Sequence, residues 1–227
     1  MSCRNVDWFT MHIYEGILAA TTEGRQVLAA GALLAAGGTA LGLWQLDHQR
    51  IPRVAVLSAA FFVISTIHVP IGPTSEHLLL TGLMGLVLGW AAFPAILVAL
   101  VLQAVMFSFG GPVTIGVNTF IMAAPAVACY YLFRRPVRSP NEAFVFTVGA
   151  AAGATAILFG GLLNAATLSA AGSQFQPFGL AMFLGHLPLA VVEGLVTGSV
   201  VVLLRKVRPE LLDAELLQPV PAEVPCD

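Results

Sequence analysis

The sequence predicts an all-α integral membrane protein, a single bundle of about seven transmembrane helices with an N-terminal segment folding into it. Three observations carry that prediction. Hydrophobic residues make up 58% of the 227 residues and charged residues only 10%, where a soluble domain carries about 25% charged residues. Mean hydropathy is +0.88. The apolar runs are about 20 residues long, the length of a membrane-crossing helix, which favours a bundle over a barrel.

Residues 1–10 read as a polar N-terminal extension without the apolar core of a signal peptide, since Arg4 and Asp7 lie in it. Residues 11–25 are partly apolar but are interrupted by Glu15, Thr21, Thr22, Glu23 and Arg25, so this segment is too polar to span alone and is expected to dip into the bundle. The spanning segments are then 26–45, 54–69, 77–92, 93–109, 115–133, 143–170 and 179–204. Beyond Arg208 the Pro-, Glu- and Leu-rich stretch 209–227 reads as a cytoplasmic tail, with a short helix at most and then disorder. The bundle domain is 11–208.

Basic residues orient the bundle. Arg50 and Arg53, then Arg134, Arg135 and Arg138, then Arg205, Lys206 and Arg208 all fall in loops on one side, whereas Arg4 and Arg25 fall on the other. The positive-inside rule places the first group in the cytoplasm, hence the amino terminus outside and the carboxyl terminus inside. Small residues at four-residue spacing, Gly31 with Ala35, Gly38 with Gly42, Gly85 with Gly89 and Gly149 with Gly153, suit tight helix–helix approach or docking to another membrane subunit. Cys3, Cys129 and Cys226 lack any C-x-x-C spacing and suggest neither a disulfide framework nor a thiolate metal site.

Ionisable groups inside a bilayer cost roughly 2.5 kcal/mol or more, so each calls for a partner or a role. His12, Glu15, His77, His186 and Glu193 stand out. His77 ends the outer loop 69–77, in which Pro70, Gly72 and Pro73 deny regular helix. Thr74 or Ser75 is expected to cap the following helix, with His77 in its first turn. His68 lies at the membrane interface as a reserve ligand, and His48 sits in a basic inner loop. His186 precedes Pro188, which frees a carbonyl in the last helix. Glu193 shares a helical face with His186 two turns on, for pairing with another helix or for direct function. Asn118 follows a turn-rich connection and suits a helix cap or a hydrogen bond to the N-terminal segment or to the loop before His77.

The sharpest chemistry lies in Met11-His12-Ile13-Tyr14-Glu15-Gly16. If translation starts at Met11, a free amine, the His12 amide and the His12 imidazole put three nitrogens within one dipeptide. They close adjacent five- and six-membered chelate rings, and a fourth nitrogen completes a tetragonal site suited to Ni(II), Cu(II) or Co(II). No Walker A loop, H-E-x-x-H, G-x-S-x-G or basic aromatic patch is present, so no ATPase, hydrolase or nucleic-acid role is indicated and any pumping draws its energy from another chain. Two alternatives use other groups: an intramembrane metal-dependent enzyme built on His77, His186 and Glu193, or a stand-alone proton-coupled carrier in which Glu193 titrates.

The opening Met11-His12-Ile13-Tyr14-Glu15-Gly16 resembles the Met-His-Ile-x-(Glu/Asp)-Gly start of the CbiM/NikM family, the cobalt and nickel substrate-capture subunits of energy-coupling-factor ABC transporters. Gly72-Pro73-Thr74-Ser75-Glu76-His77 is similar to that family's Thr/Ser-rich loop ending in histidine, Gly116-Val117-Asn118 to its Gly-x-Asn segment, and Glu193-Gly194-Leu195-Val196-Thr197 to a stretch of its last helix. Ile121 stands where many relatives have a second Asn. The resemblance implies transport of Co(II) or Ni(II) without a catalytic cofactor, the metal being held by the Met11 amine, the His12 amide and imidazole, and His77. Glu15, Thr74, Ser75, Asn118 and His68 form the surrounding set of candidates. It also implies a membrane coupling subunit and cytoplasmic ABC ATPases as partners, with a small accessory membrane subunit left open, in a prokaryotic cell membrane. A free amine on Met11 requires that the mature protein begin there, by an internal start or by trimming.

Overall fold

The computed structural model describes residues 9–10, 13, 18–19, 21–71, 74–107 and 110–212. Helix α1 (Thr22–Trp44) starts where the Thr21 side chain accepts from the Gly24 amide, a regular N-cap. It is followed by α2 (Ile51–Ile64), with Pro52 in its first turn, where proline's missing N–H costs nothing. A three-stranded sheet comes next. Strand β2 (His68–Ile71) pairs antiparallel with β3 (Thr74–His77), and β3 also pairs in parallel with β1 (Phe9–Thr10), giving the order β1-β3-β2. The remaining helices are α3 (Thr81–Leu88), α4 (Ala92–Phe107), α5 (Ile115–Phe133), α6 (Glu142–Ala171) and α7 (Gln176–Val207).

Contacts fix the directions of the helices. Gly31 of α1 lies against Val117 of α5, while at the far end Gly42 meets Trp90 and Pro94. Trp90 in turn donates from its indole nitrogen to the Tyr131 hydroxyl at 2.9 Å, so α1 and α5 run the same way. Ser58 Oγ donates to the Ala95 carbonyl at 2.7 Å, and one helical stretch later Gln103 donates to Ser65 Oγ, so α2 and α4 run together in the opposite sense. Gly85 packs on Ala126 and Gly89 on Tyr130, which aligns α3 with α5. The chain therefore reverses at Gly89–Ala91, where Gly89 adopts φ +57°, a region that only glycine enters cheaply.

Among the described residues five stretches have the length and apolarity to cross a bilayer: Thr22–Trp44, Thr81–Phe107, Ile115–Phe133, Glu142–Ala171 and Ser173–Val207. The seven expected segments map onto them unevenly. Ile51–Ile64 has 14 residues, short of the roughly 20 a crossing takes. Thr81–Phe107 holds the two oppositely directed arms α3 and α4. Helix α3, with 8 residues, is about 12 Å long. The segment expected at 54–69 gives up its helix at Ile64, and the one expected at 77–92 begins its helix only at Thr81. The cause is the β2–β3 ladder, which takes residues 68–71 and 74–77 as extended chain.

Large apolar side chains on the outer surface, among them Leu33 (75% exposed), Trp44 (82%) and Val105 (77%), make the lipid-facing coat that a multi-pass helical protein requires. Inside, the small residues do the close packing. A Cβ on Gly149 would come within 3.0 Å of the Gly198 Cα, and one on Gly153 within 2.7 Å of the Glu193 carbonyl. The four-residue spacings thus serve approach between helices of this chain. The basic residues gather at one end, where Lys206 pairs with Glu142 at 2.8 Å and Arg205 donates to the Ser139 carbonyl. The sheet lies at the opposite end.

Candidate functional site

The sheet end brings together three separate pieces of sequence. Along β3 the register pairs Thr74 with Phe9 and Ser75 with Thr10 on one side, and His77 with His68 on the other. The two histidines of the loop region are thus direct cross-strand neighbours in the backbone. His77 is 0% exposed, and its Nδ1 lies 3.5 Å from the Leu78 carbonyl. A polar loop residue facing water would not show that burial.

The second piece is α5. Asn118 sits one turn into it, 3% exposed, and grips the backbone of residue 13 with both ends of its amide. The Ile13 N–H donates to Asn118 Oδ1 at 3.2 Å, and Asn118 Nδ2 donates to the Ile13 carbonyl at 3.4 Å. Ile13 itself is buried (2% exposed) in a cluster with Leu18, Val117 and Ile121. Ile121 therefore packs against the N-terminal segment through apolar contact.

The third piece is α7. Glu193 Oε2 accepts from the Leu79 backbone N–H at 3.2 Å, and Glu193 is 0% exposed. His186, also buried, holds the Met182 carbonyl at 2.6 Å through Nδ1. Between α3, α5, α6 and α7 lies a narrow pocket of about 10 Å³, room for about one water at most, with Thr81, Asn118, Asn164 and His186 as its polar lining. The extended-chain pairing of Thr74 and Ser75 corrects the expectation that one of them caps the next helix. They belong to β3, and His77 ends a strand rather than opening a helix. At the start of α3 the N-cap position is Leu80, with φ +52° and no polar side chain.

Met11, His12 and Glu15 lie outside the described residues, as do the side chains of His68, Thr74 and Ser75. Among the described residues no group of three His, Cys, Asp or Glu converges, so His77, His186 and Glu193 do not form a joint metal-holding set. The role of Glu193 at the start of α3 was hidden in the sequence, because it joins positions 114 apart. The hairpin left a faint signal: two short runs, His-Val-Pro-Ile and Thr-Ser-Glu-His, flank a Gly-Pro pair.

Residues 12–211 match the family model for CbiM, the cobalt uptake substrate-specific transmembrane region. The chain belongs to the CbiM family. The match runs from the second residue of the hook to the turn after α7. A relative from Haemophilus influenzae, named as a metal transport protein, is 41% identical over 206 residues, covering 89% of this chain and 97% of that one. The fused nickel transport protein NikMN of Rhodobacter capsulatus is 35% identical over 193 residues, 74% of this chain and 54% of the relative. The cobalt transport protein CbiM of Sorangium cellulosum is 33% identical over 171 residues, 71% and 76% of the two chains. The crystal structure of a transition metal transporter superposes with a TM-score of 0.68 at 25% identity, covering 91% of this chain and 99% of that one.

Proposed function

We propose that this protein is the substrate-binding membrane subunit of an energy-coupling-factor ABC transporter and imports Co(II) or Ni(II). The ion is held by the Met11 amine, the His12 amide and imidazole, and the His77 imidazole. One observation supports this reading: Ile13, the residue after His12, is clamped by Asn118 at the start of α5, the end of the bundle where His77 closes β3. In the full-length chain Thr10 also pairs with Ser75, two residues from His77 along β3, a contact that a chain beginning at Met11 gives up. Consecutive Cα atoms are about 3.8 Å apart, so the two residues before Ile13 reach at most about 7 Å from that anchor. The names of the relatives, which pair this family with nickel and cobalt, support the choice of ion.

Four nitrogens in a plane suit both metals, and a deprotonated amide leaves the complex with about one net positive charge, easing burial of the ion. His68, opposite His77 in the ladder, and Glu15, Thr74, Ser75 and Asn118 make up the surroundings, with Glu15 positioning the hook or balancing charge. The crowded basic end faces the cytoplasm under the positive-inside rule, so the site opens to the outside. In this reading α2 and the paired arms α3 and α4 complete the seven crossings, with the short helices helped by buried non-helical chain at the sheet end. A membrane coupling subunit and cytoplasmic ABC ATPases supply the work, with or without a small accessory membrane subunit. Isothermal calorimetry tests the ligand set. His77→Ala and His12→Ala should each abolish high-affinity binding of Ni(II) and Co(II), and undiminished affinity in either variant removes that residue from the site.

A further inference from the structure

A carboxylate buried among membrane helices is costly and persists only with a partner or a role. Glu193 on α7 has a specific one. Besides the Leu79 N–H on Oε2, the backbone amides of Leu80 and Thr81 face the same carboxylate. Amides at the start of a helix have no acceptor within it, and a helix start attracts negative charge. Ordinarily a Ser, Thr, Asn or Asp at the N-cap accepts one of them. Here the N-cap is Leu80, with an apolar side chain and a left-handed backbone. Glu193 therefore reaches from a neighbouring helix to the amide just ahead of that N-cap, where no local side chain accepts.

We propose that Glu193 is a positioning residue for metal capture, its carboxylate fixing His77 by holding the chain two residues further on. The inference rests on the reading that His77 is a metal ligand. His77 is pinned upstream by its pairing with His68 across the ladder. Downstream, residues 78–80 form neither helix nor strand, and Glu193 takes up the first amide after the short link through Leu78. Each residue spans at most about 3.6 Å, so a displacement of Leu79 passes directly to His77. Glu193 is itself backed by α6, since Gly153 lets that helix close on the Glu193 carbonyl, where a Cβ would come within 2.7 Å. Its Oε1 has no hydrogen-bond partner among the described residues, which leaves the amides at the start of α3 as the carboxylate's protein partners there.

The test compares the full chain with His77→Ala, Glu193→Ala, Glu193→Gln, Glu193→Asp and the double variant His77→Ala/Glu193→Ala, by Ni(II) calorimetry and by amide hydrogen exchange over residues 77–81. Loss of a charged hydrogen-bond acceptor should weaken binding by roughly ten- to a hundredfold in Glu193→Ala, with faster exchange at 79–81. Glu193→Gln, which keeps a carbonyl acceptor, should recover most of the affinity. In the double variant Glu193→Ala should add nothing to the loss already caused by His77→Ala, because it acts through that imidazole. Wild-type affinity in Glu193→Ala, or losses that simply add in the double variant, would overturn the inference. If Glu193→Ala does not fold, Glu193→Asp decides: the retracted carboxylate should weaken binding, and wild-type binding there overturns the inference. Undiminished binding in His77→Ala would instead overturn the underlying reading.

Discussion

At the scale of single residues, the site depends on backbone tethers as much as on ligands. Asn118 makes one acceptor and one donor bond to the same residue, Ile13. An apolar side chain could not hold that segment, because the peptide group would be buried without partners. Each neutral hydrogen bond contributes about 0.5–1.5 kcal/mol net, so losing the pair should weaken metal binding about tenfold or more. Calorimetry of Asn118→Ala should show that loss with the helical circular dichroism unchanged, and equal affinity would free the hook from its dependence on α5. Asn118 was legible in the sequence as a polar group near the hook, but the choice between helix cap and long-range clamp was not. A cap acts within its own turn, whereas this bond joins positions 105 apart.

At the scale of elements, α3 shows where local pattern and tertiary structure diverge. Hydropathy marks one apolar run after another through residues 77–109, and the turn at Gly89–Ala91 sits beside the expected boundary between 92 and 93. What the pattern could not reveal is that the first arm would be shortened to the eight-residue helix Thr81–Leu88 by the strand ending at His77. Residues 68–77 are too few and too mixed to read as strands alone, and β3 pairs on its other side with residues 9–10, distant in the sequence. The helices themselves were easy to locate because lipid selects long apolar runs, and Ile115–Phe133 is found at its expected ends. The glycines carry the packing of the elements. A Cβ on Gly85 would come within 2.0 Å of the Ala126 carbonyl, whereas Gly37 has nothing within 4 Å. Gly85→Ala should therefore destabilise the protein by about 1–3 kcal/mol through overpacking, seen as a lower thermal midpoint in detergent. Gly37→Ala should leave that midpoint unchanged or raise it slightly, and equal behaviour of the two variants would contradict the packing.

At the scale of the whole molecule, the two ends do different work. One gathers Arg205, Lys206, Glu142 and the Ser139 turn, and the other holds the sheet with His77 beside the anchored N-terminal segment. Charge placement made this polarity legible from sequence, since all basic residues but Arg4 and Arg25 fall in one set of loops. The amino terminus remains the critical variable, because a peptide nitrogen at Met11 is a far poorer donor than an amine. Intact-mass analysis of the native protein should give a chain beginning at Met11, and a full-length protein with normal metal uptake would contradict that start. Phe9–Thr10 pairs with β3 in the chain described here, so processing at Met11 would also open that edge of the sheet.

The most direct measurement is X-ray absorption at the nickel edge of the loaded protein, alongside His77→Ala. The account predicts an all-nitrogen first shell with the scattering of two imidazoles, falling to one in the variant. A shell dominated by oxygen, or an imidazole count unchanged by His77→Ala, would contradict it.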